Sequence, residues 1–304
     1  MSIPFHGVIN VYKEAGYTSS DVVAKLRGIL HMRKIGHTGT LDPDAEGVLP
    51  VCLGNGTKLV SYLTDHDKVY KARCRLGLET DTQDTSGKVL NELSQEEILQ
   101  HLPGKEEDVQ KACASFVGKI EQIPPMYSAV KVGGKKLYEL ARAGKTVERA
   151  AREVTIHEIA VEEVSLPTFT MTVHCSRGTY IRTLCHDIGE SLHTHGVMEK
   201  LLRTRVGEFT LENAHTLSEI EERAKAGTVE DWIVPVDAFF ADAERIDVEE
   251  ELLRLLLNGN PLPASIAGEK QGDRFRMYAK GGRFVAVYKK TDEGMLAAEQ
   301  MFLS

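Results

Sequence analysis

Asp42 stands in the run Gly36-His37-Thr38-Gly39-Thr40-Leu41-Asp42-Pro43-Asp44-Ala45-Glu46-Gly47, where acids, glycines and a proline crowd together. Three chemistries are open to such a run. An Asp-Pro step is an ordinary turn. Asp42, Asp44 and Glu46 with Gly47 copy the first half of a calcium loop, whose twelfth position must then be a bidentate carboxylate. That position is Leu53, and no acid lies between Glu46 and Asp65, so calcium drops out. The third reading is a lone carboxylate aimed into a cleft. Pro43 biases Asp42 toward extended backbone. An ionised carboxylate held there can stabilise positive charge developing on a sugar carbon, or bond to that carbon, as the nucleophile of a retaining glycosidase does.

Elements that could position such a group can be read on both sides. Upstream, GVINVYKEAG is an apolar strand-like run ending in a turn at Gly16, and Ser19, Ser20 and Asp21 are candidate caps for a helix over Val22, Val23, Leu26 and Leu30. The glycine- and proline-rich run itself is a structured loop leading into VLPVCLG. From Tyr70, YKARCRLGLETDT alternates as a half-buried strand does, TDTQDTSGKV reads as a turn, and residues 93–118 hold one or two amphipathic helices. TIHEIAVEEV and FTMTVHCS alternate like paired strands, and GTYIRTLCHDIGESL enters a helix after Gly178. Residues 244–304 read as a separate unit, with the helix VEEELLRLLLNG and two strand candidates around FRMYAK and RFVAVYKK. Strands and helices without regular βαβ alternation predict an α+β fold.

Between the helical region and the paired strands, IPPMYSAVKVGGKKLYELARAGKTVERAAREV carries seven Lys/Arg from Lys131 to Arg152, interleaved with Tyr127 and Tyr138. It reads as a projecting basic loop with a short helix, YELARAG. The net charge of −8 argues at first against a nucleic-acid partner. Residues 111–160, however, hold nine Lys/Arg against five Asp/Glu, whereas residues 211–260 hold four against thirteen. The acid is concentrated late, which leaves a basic face free elsewhere. The five cysteines form no C-x-x-C pair and read as reduced, buried thiols. No basic run precedes an apolar stretch at the N-terminus, and no stretch approaches the roughly 18 apolar residues of a membrane span, so a cytoplasmic protein is expected.

Five blocks in order, GHTGTLDPDAEGVLPVCLGNGTK, KVYKARCRLGLETDTQDTSG, IPPMYSAVKVGGKKLYELARAG, CSRGTYIRTLCHDIG and LLRTRVGEFTLENAHTL, resemble the bacterial TruB family of tRNA pseudouridine synthases. The lead-in K-E-A-G-Y-T-S is similar to that family's Lys-Pro-x-Gly-x-[TS]-S motif. The resemblance implies Asp42 as the catalytic carboxylate, with Tyr70 and Arg182 beside it. It implies His37, Tyr70, Tyr180 and Leu202 as residues that flip and hold the base, Leu202 being the apolar residue before the family's late arginine. It also implies an RNA-binding thumb over about 124–153, carrying Lys131, Lys135, Lys136 and Arg142.

The implied fold is the pseudouridine-synthase α+β domain over 1–243, a mixed, mostly antiparallel sheet, followed by a small PUA-like β domain over 244–304. The implied reaction converts uridine to pseudouridine in the T loop of tRNA, with no cofactor, no metal and no guide RNA, by a monomer. Cleavage of the glycosidic bond and re-attachment at C5 need no second carboxylate, because the detached base is itself the incoming nucleophile. Arg182 is expected to keep Asp42 ionised against desolvation. Two departures stand out: Glu14 where the family usually has Pro, and Glu46, which is expected to face solvent. A guide-RNA-dependent synthase and an RNA-folding chaperone are the alternatives.

Overall fold

The computed structural model describes residues 5–303; the extreme ends of both expected domains, residues 1–4 and 304, lie outside that range. Its centre is a ten-stranded sheet. The path across it runs Ile233–Pro235, Gly7–Lys13, Glu46–Leu53, Gly196–Val206, Lys68–Leu76, Thr168–Cys175, Arg152–Ser165, Gly118–Gln122. All neighbours on that path are antiparallel except Gly196–Val206 beside Glu46–Leu53, which run parallel through Leu202↔Glu46 and Arg203↔Gly47.

The strands form where the sequence alternates. In Lys68–Leu76, Tyr70, Ala72, Cys74 and Leu76 are buried on one face while Lys71 and Arg73 point out on the other. The buried face packs under the helix Ile181–Ser191, whose Ile181, Leu184, Cys185 and Ile188 share a core with Tyr70, Phe169, Met171 and Val173. A second core covers the neighbouring strands: Ile9, Val11, Leu49 and Val51 meet Val22, Val23 and Leu26 of the helix Ser19–Ile29. That helix is capped by Thr18 rather than by the hydroxyls and acid that follow it. Thr18 Oγ1 accepts from the Asp21 backbone N–H at 3.0 Å, and Asp21 Oδ2 accepts from the Thr18 N–H at 2.9 Å, a reciprocal box that contributes about 1 kcal/mol.

The expected helical region holds two helices, Gln95–His101 and Glu106–Ser115. From Glu244 the chain builds a second, five-stranded sheet in the order Glu244–Asp247, Arg274–Ala279, Arg283–Lys290, Met295–Met301, Leu262–Pro263, with one helix, Glu250–Leu257. Sequence pattern announces only the second and third of those strands. The two sheets meet through an apolar seam in which Val8, Val48, Cys52 and Phe209 join Val287 and Phe302. Asn55 Nδ2 donates to the Phe302 carbonyl at 2.5 Å and Lys58 Nζ to the Met301 carbonyl at 2.8 Å across it. All five cysteines are free and buried.

Candidate active site

Asp42 lies in the loop between the short strand Ile35–His37 and Glu46–Leu53. Its own carbonyl accepts from the Ala45 N–H at 3.1 Å, so the ordinary Asp-Pro turn is present as well. Apolar plugs flank it: Leu41 and Ala45 sink into the core that contains Tyr70 and Ile181. Truncating Leu41 to Ala would cost about 2–5 kcal/mol and free one end of the loop. The lead-in segment grips the loop from beneath. Ser19 Oγ accepts from the Leu41 N–H at 2.9 Å, Gly16 N–H donates to the Pro43 carbonyl at 2.9 Å, and Lys13 Nζ donates to the carbonyls of Pro43 at 2.9 Å and Ala45 at 2.5 Å. Lys13 is wholly buried, and burial lowers its ammonium to about 8 against the pull of Asp42 and neighbouring acids.

Cross-strand register puts Lys13, Gly47, Arg203 and Tyr70 in one row. Arg203 is buried, its Nε donating to the Val48 carbonyl at 2.7 Å and its Nη2 to the Gly39 carbonyl at 3.3 Å. Gly47 has φ +105, and a Cβ there would collide with the Arg203 backbone, so only glycine lets the strands close at this point. Two buried cations thus clasp the Asp42 loop by its carbonyls, Lys13 on one side and Arg203 on the other.

The Asp42 carboxylate is held by Arg182, through Nε to Oδ2 at 2.9 Å and Nη2 to Oδ1 at 3.2 Å. The Arg182 side chain is 5% exposed and that of Asp42 36%, so the pair sits at the floor of an opening. The remaining guanidinium donors reach the Thr82 carbonyl at 3.0 Å and the Tyr127 carbonyl at 2.7 Å, and Nη1 stands 3.7 Å from Asp84 Oδ2. The expected offset of desolvation by Arg182 is only partial. Arg182 does pull the carboxyl down, but burial outweighs it and Asp84 adds to the rise, leaving Asp42 above the usual carboxylate value. Glu46 takes no part: Tyr12 Oη donates to Glu46 Oε1 at 3.3 Å.

Tyr70 is buried on the same face as Arg203, and burial pushes its phenol up, with the Arg203 cation opposing. Tyr180 is the residue before the helix of Arg182, and Gln122 pins it. Gln122 Oε1 accepts from the Tyr180 N–H at 3.0 Å and Gln122 Nε2 donates to the Tyr180 carbonyl at 3.3 Å. His37 pairs with Val51; its Nδ1 is buried without a partner, and burial with the Arg203 charge lowers its pKa.

Leu202 requires a correction. It pairs with Lys71, whose side chain points to the face opposite Tyr70, whereas Leu201 pairs with Ala72 on the Tyr70 face. Leu201 packs against the core that holds Leu41 and Tyr70, so the apolar wall at this place is Leu201. The basic segment forms the hairpin Lys131–Val132/Lys135–Lys136 and the helix Leu137–Arg142. Lys136 and Arg142 both lie over the Tyr138 ring, at 5.4 and 5.5 Å.

The family model described as TruB family pseudouridylate synthase (N terminal domain) matches residues 27–181, and that of the tRNA pseudouridylate synthase B C-terminal domain matches residues 182–241. The chain belongs to the TruB family. It is 44% identical over 292 residues to tRNA pseudouridine synthase B of Bacillus pumilus, covering 94% of this chain and 93% of that one. To the protein of that name from Lachnoclostridium phytofermentans it is 48% identical over 298 residues, covering 93% and 95%. Among solved structures, a chain of a Cbf5-Nop10-Gar1 complex superimposes with a TM-score of 0.65 at 28% identity, covering 98% of this chain and 85% of that one.

Within this TruB-family chain, sequence reasoning missed three residues that build the site, Lys13, Gln122 and Asp84, and placed Arg203 only as the arginine after Leu202. Lys13 opens the K-E-A-G-Y-T-S lead-in, but a lysine at the end of an apolar strand ordinarily reaches solvent, so its burial carries no local signal. Asp84 and Gln122 carry no local signal, since each reads as an ordinary polar residue beside a turn.

Proposed function

We propose that this protein converts uridine to pseudouridine at position 55 in the T loop of tRNA, with Asp42 as the carboxylate that acts on the substrate. The observation that carries this reading is the two-point grip of buried Arg182 on Asp42, on a loop anchored from beneath at the floor of an opening. Positive charge develops at C1′ as the N1–C1′ bond breaks, and a fixed carboxylate is the group that stabilises it. Attack on C1′, addition to uracil C6 and a glycal route all suit a carboxylate at this place. Asp42 is open on one side, and a substrate base seated over it would cover the carboxylate and strengthen its interaction with developing charge.

Tyr70 offers a flat face for the detached uracil, and its raised phenol stays protonated at neutral pH. Leu201 supplies the apolar wall opposite, and Tyr180 a second ring. A uracil in a folded loop must leave its stack to reach Asp42, which costs a few kcal/mol. His37 supports the flipped nucleotide. The segment 124–153 acts as the thumb, with Lys131, Lys135, Lys136 and Arg142 on backbone phosphates. Residues 244–304 form the PUA-like unit that extends the RNA-binding surface. The enzyme works in the cytoplasm as a monomer without a guide RNA, a reading supported by near full-length similarity to proteins named tRNA pseudouridine synthase B.

The deciding experiment incubates wild-type and Asp42→Asn protein with an unmodified tRNA transcript alone and assays pseudouridine. Product from wild type and none from Asp42→Asn is expected. Equal product from both would remove Asp42 from the chemistry; none from either would favour a guide-dependent enzyme or a chaperone.

A further inference from the structure

On the face of the large sheet turned away from Tyr70, three side chains from three segments converge. His157 Nε2 lies 3.2 Å and His174 Nε2 3.9 Å from the same oxygen, Asp67 Oδ2, and the three atoms all lie within 4.8 Å of one another. The imidazole rings are 4.7 Å apart, centroid to centroid. His174 pairs with Val69, next to the Val173↔Tyr70 pair, so strand alternation sets it behind Tyr70. The register between the two histidine strands shifts at this point: Ile156 faces Cys175 but Glu158 faces His174. A β-bulge therefore places both His157 and Glu158 opposite His174, the kind of irregularity that re-aims a side chain.

The donor set is chemically selective. Two imidazoles and one carboxylate suit Zn²⁺ and its neighbours, whereas Ca²⁺ and Mg²⁺ require oxygen ligands throughout. Bonds of about 2.0–2.2 Å in a tetrahedral site put ligand atoms roughly 3.3–3.6 Å apart, which the spacing here brackets. One group opposes: Arg205 Nη2 stands 3.5 Å from His174 Nε2 and has to swing toward solvent for an ion to enter. It has room to do so, because Arg205 and His174 line an open cavity of about 370 Å³ together with Glu158 and Thr172.

We propose that Asp67, His157 and His174 form a Zn²⁺-class metal site that ties the start of the strand carrying Tyr70, from behind, to the next two strands on one side, Thr168–Cys175 and Arg152–Ser165. Three protein ligands leave a fourth position for water or for Glu158. This site lies apart from Asp42, on the opposite side of the sheet from the Tyr70 face.

The test titrates metal-stripped full-length protein with ZnCl₂ by calorimetry at neutral pH. One ion per chain is expected, bound more than about tenfold more weakly by His157→Gln, His174→Gln and Asp67→Asn, and more tightly by Arg205→Ala. Zn²⁺ should raise the melting temperature of wild type and not that of the His157→Gln/His174→Gln double variant. Saturable binding that is absent, or unchanged in that double variant, overturns the proposal. Should a variant fail to fold, zinc-edge anomalous diffraction from soaked wild-type crystals decides: a peak between the three side chains supports the site, and none there overturns it.

Discussion

Asp42 and Asp84 approach one guanidinium from two sides: Arg182 holds Asp42 at 2.9 and 3.2 Å, while its Nη1 lies 3.7 Å from Asp84 Oδ2. Asp84 is itself fixed, its Oδ1 accepting from Thr82 Oγ1 and Ser86 Oγ at 2.6 Å each and from the Ser86 N–H at 3.0 Å. The second carboxylate raises the first through space. Removing its charge with Asp84→Asn therefore lets Asp42 ionise at lower pH. The acid limb of the single-turnover rate should move to lower pH, with the plateau changed less than about tenfold. A limb that stays in place or moves up would show that Asp84 does not tune Asp42.

Gln122 closes on both backbone polar groups of Tyr180, whose turn leads directly into the helix bearing Arg182. Gln122→Ala leaves that N–H without its partner, costing about 1–3 kcal/mol, while the carbonyl keeps the Leu184 N–H at 3.0 Å, and it loosens the turn that aims the guanidinium. The expected result is a fall in kcat of about tenfold or more with KM for tRNA little changed, since the change disturbs positioning and leaves RNA binding intact. Steady-state kinetics on a tRNA transcript separates the two.

The register between Gly196–Val206 and Lys68–Leu76 distinguishes two adjacent leucines. Leu201→Ala should lower the rate by about tenfold or more, because it opens the wall beside Tyr70; Leu202→Ala, on the other face, should stay within about twofold. Comparing the two variants in one assay reads the register directly.

Lys13→Met keeps the side-chain volume but removes the donor to the Pro43 and Ala45 carbonyls. The Pro43 carbonyl keeps the Gly16 N–H, but leaving the Ala45 carbonyl unpaired should destabilise the fold by about 1–3 kcal/mol in urea unfolding, a larger effect than on KM for tRNA.

Affinity for tRNA should fall steeply as salt rises. Replacing Lys131, Lys135 and Lys136 by Ala should flatten the slope of log K against log salt by about 0.7–0.9 for each phosphate no longer neutralised. Filter binding across a salt series measures this, and a slope identical in wild type and variant would remove the thumb from RNA binding.

The pairing of Asp42 with Arg182 was legible because each sits in a distinctive motif, and Lys68–Leu76 because its alternation is clean. The face of Leu202 was not, since Leu201-Leu202 is a doublet and alternation assigns no parity to two apolar neighbours. Thr18 was hidden among adjacent hydroxyls, where only backbone geometry decides which one caps. In the C-terminal unit, Leu262–Pro263 is too short to show a period, Glu244–Asp247 is mostly charged, and Met295–Met301 lacks β-branched residues. Those strands exist because tertiary pairing imposes them. The net direction of the Asp42 shift was likewise unreadable, because it depends on how deeply a loop is buried and on an acid forty-two residues away in sequence.

The strand Gly196–Val206 lies between Glu46–Leu53 and Lys68–Leu76, two strands that leave the ribosome long before it. Until it arrives, the Asp42 loop lacks Arg203 beneath it and Tyr70 has no neighbour on that side. More than a hundred residues separate it in sequence from Lys68–Leu76, so the centre of the sheet is closed by contacts between segments far apart along the chain. That single segment is what brings the Asp42 loop and Tyr70 into register with each other.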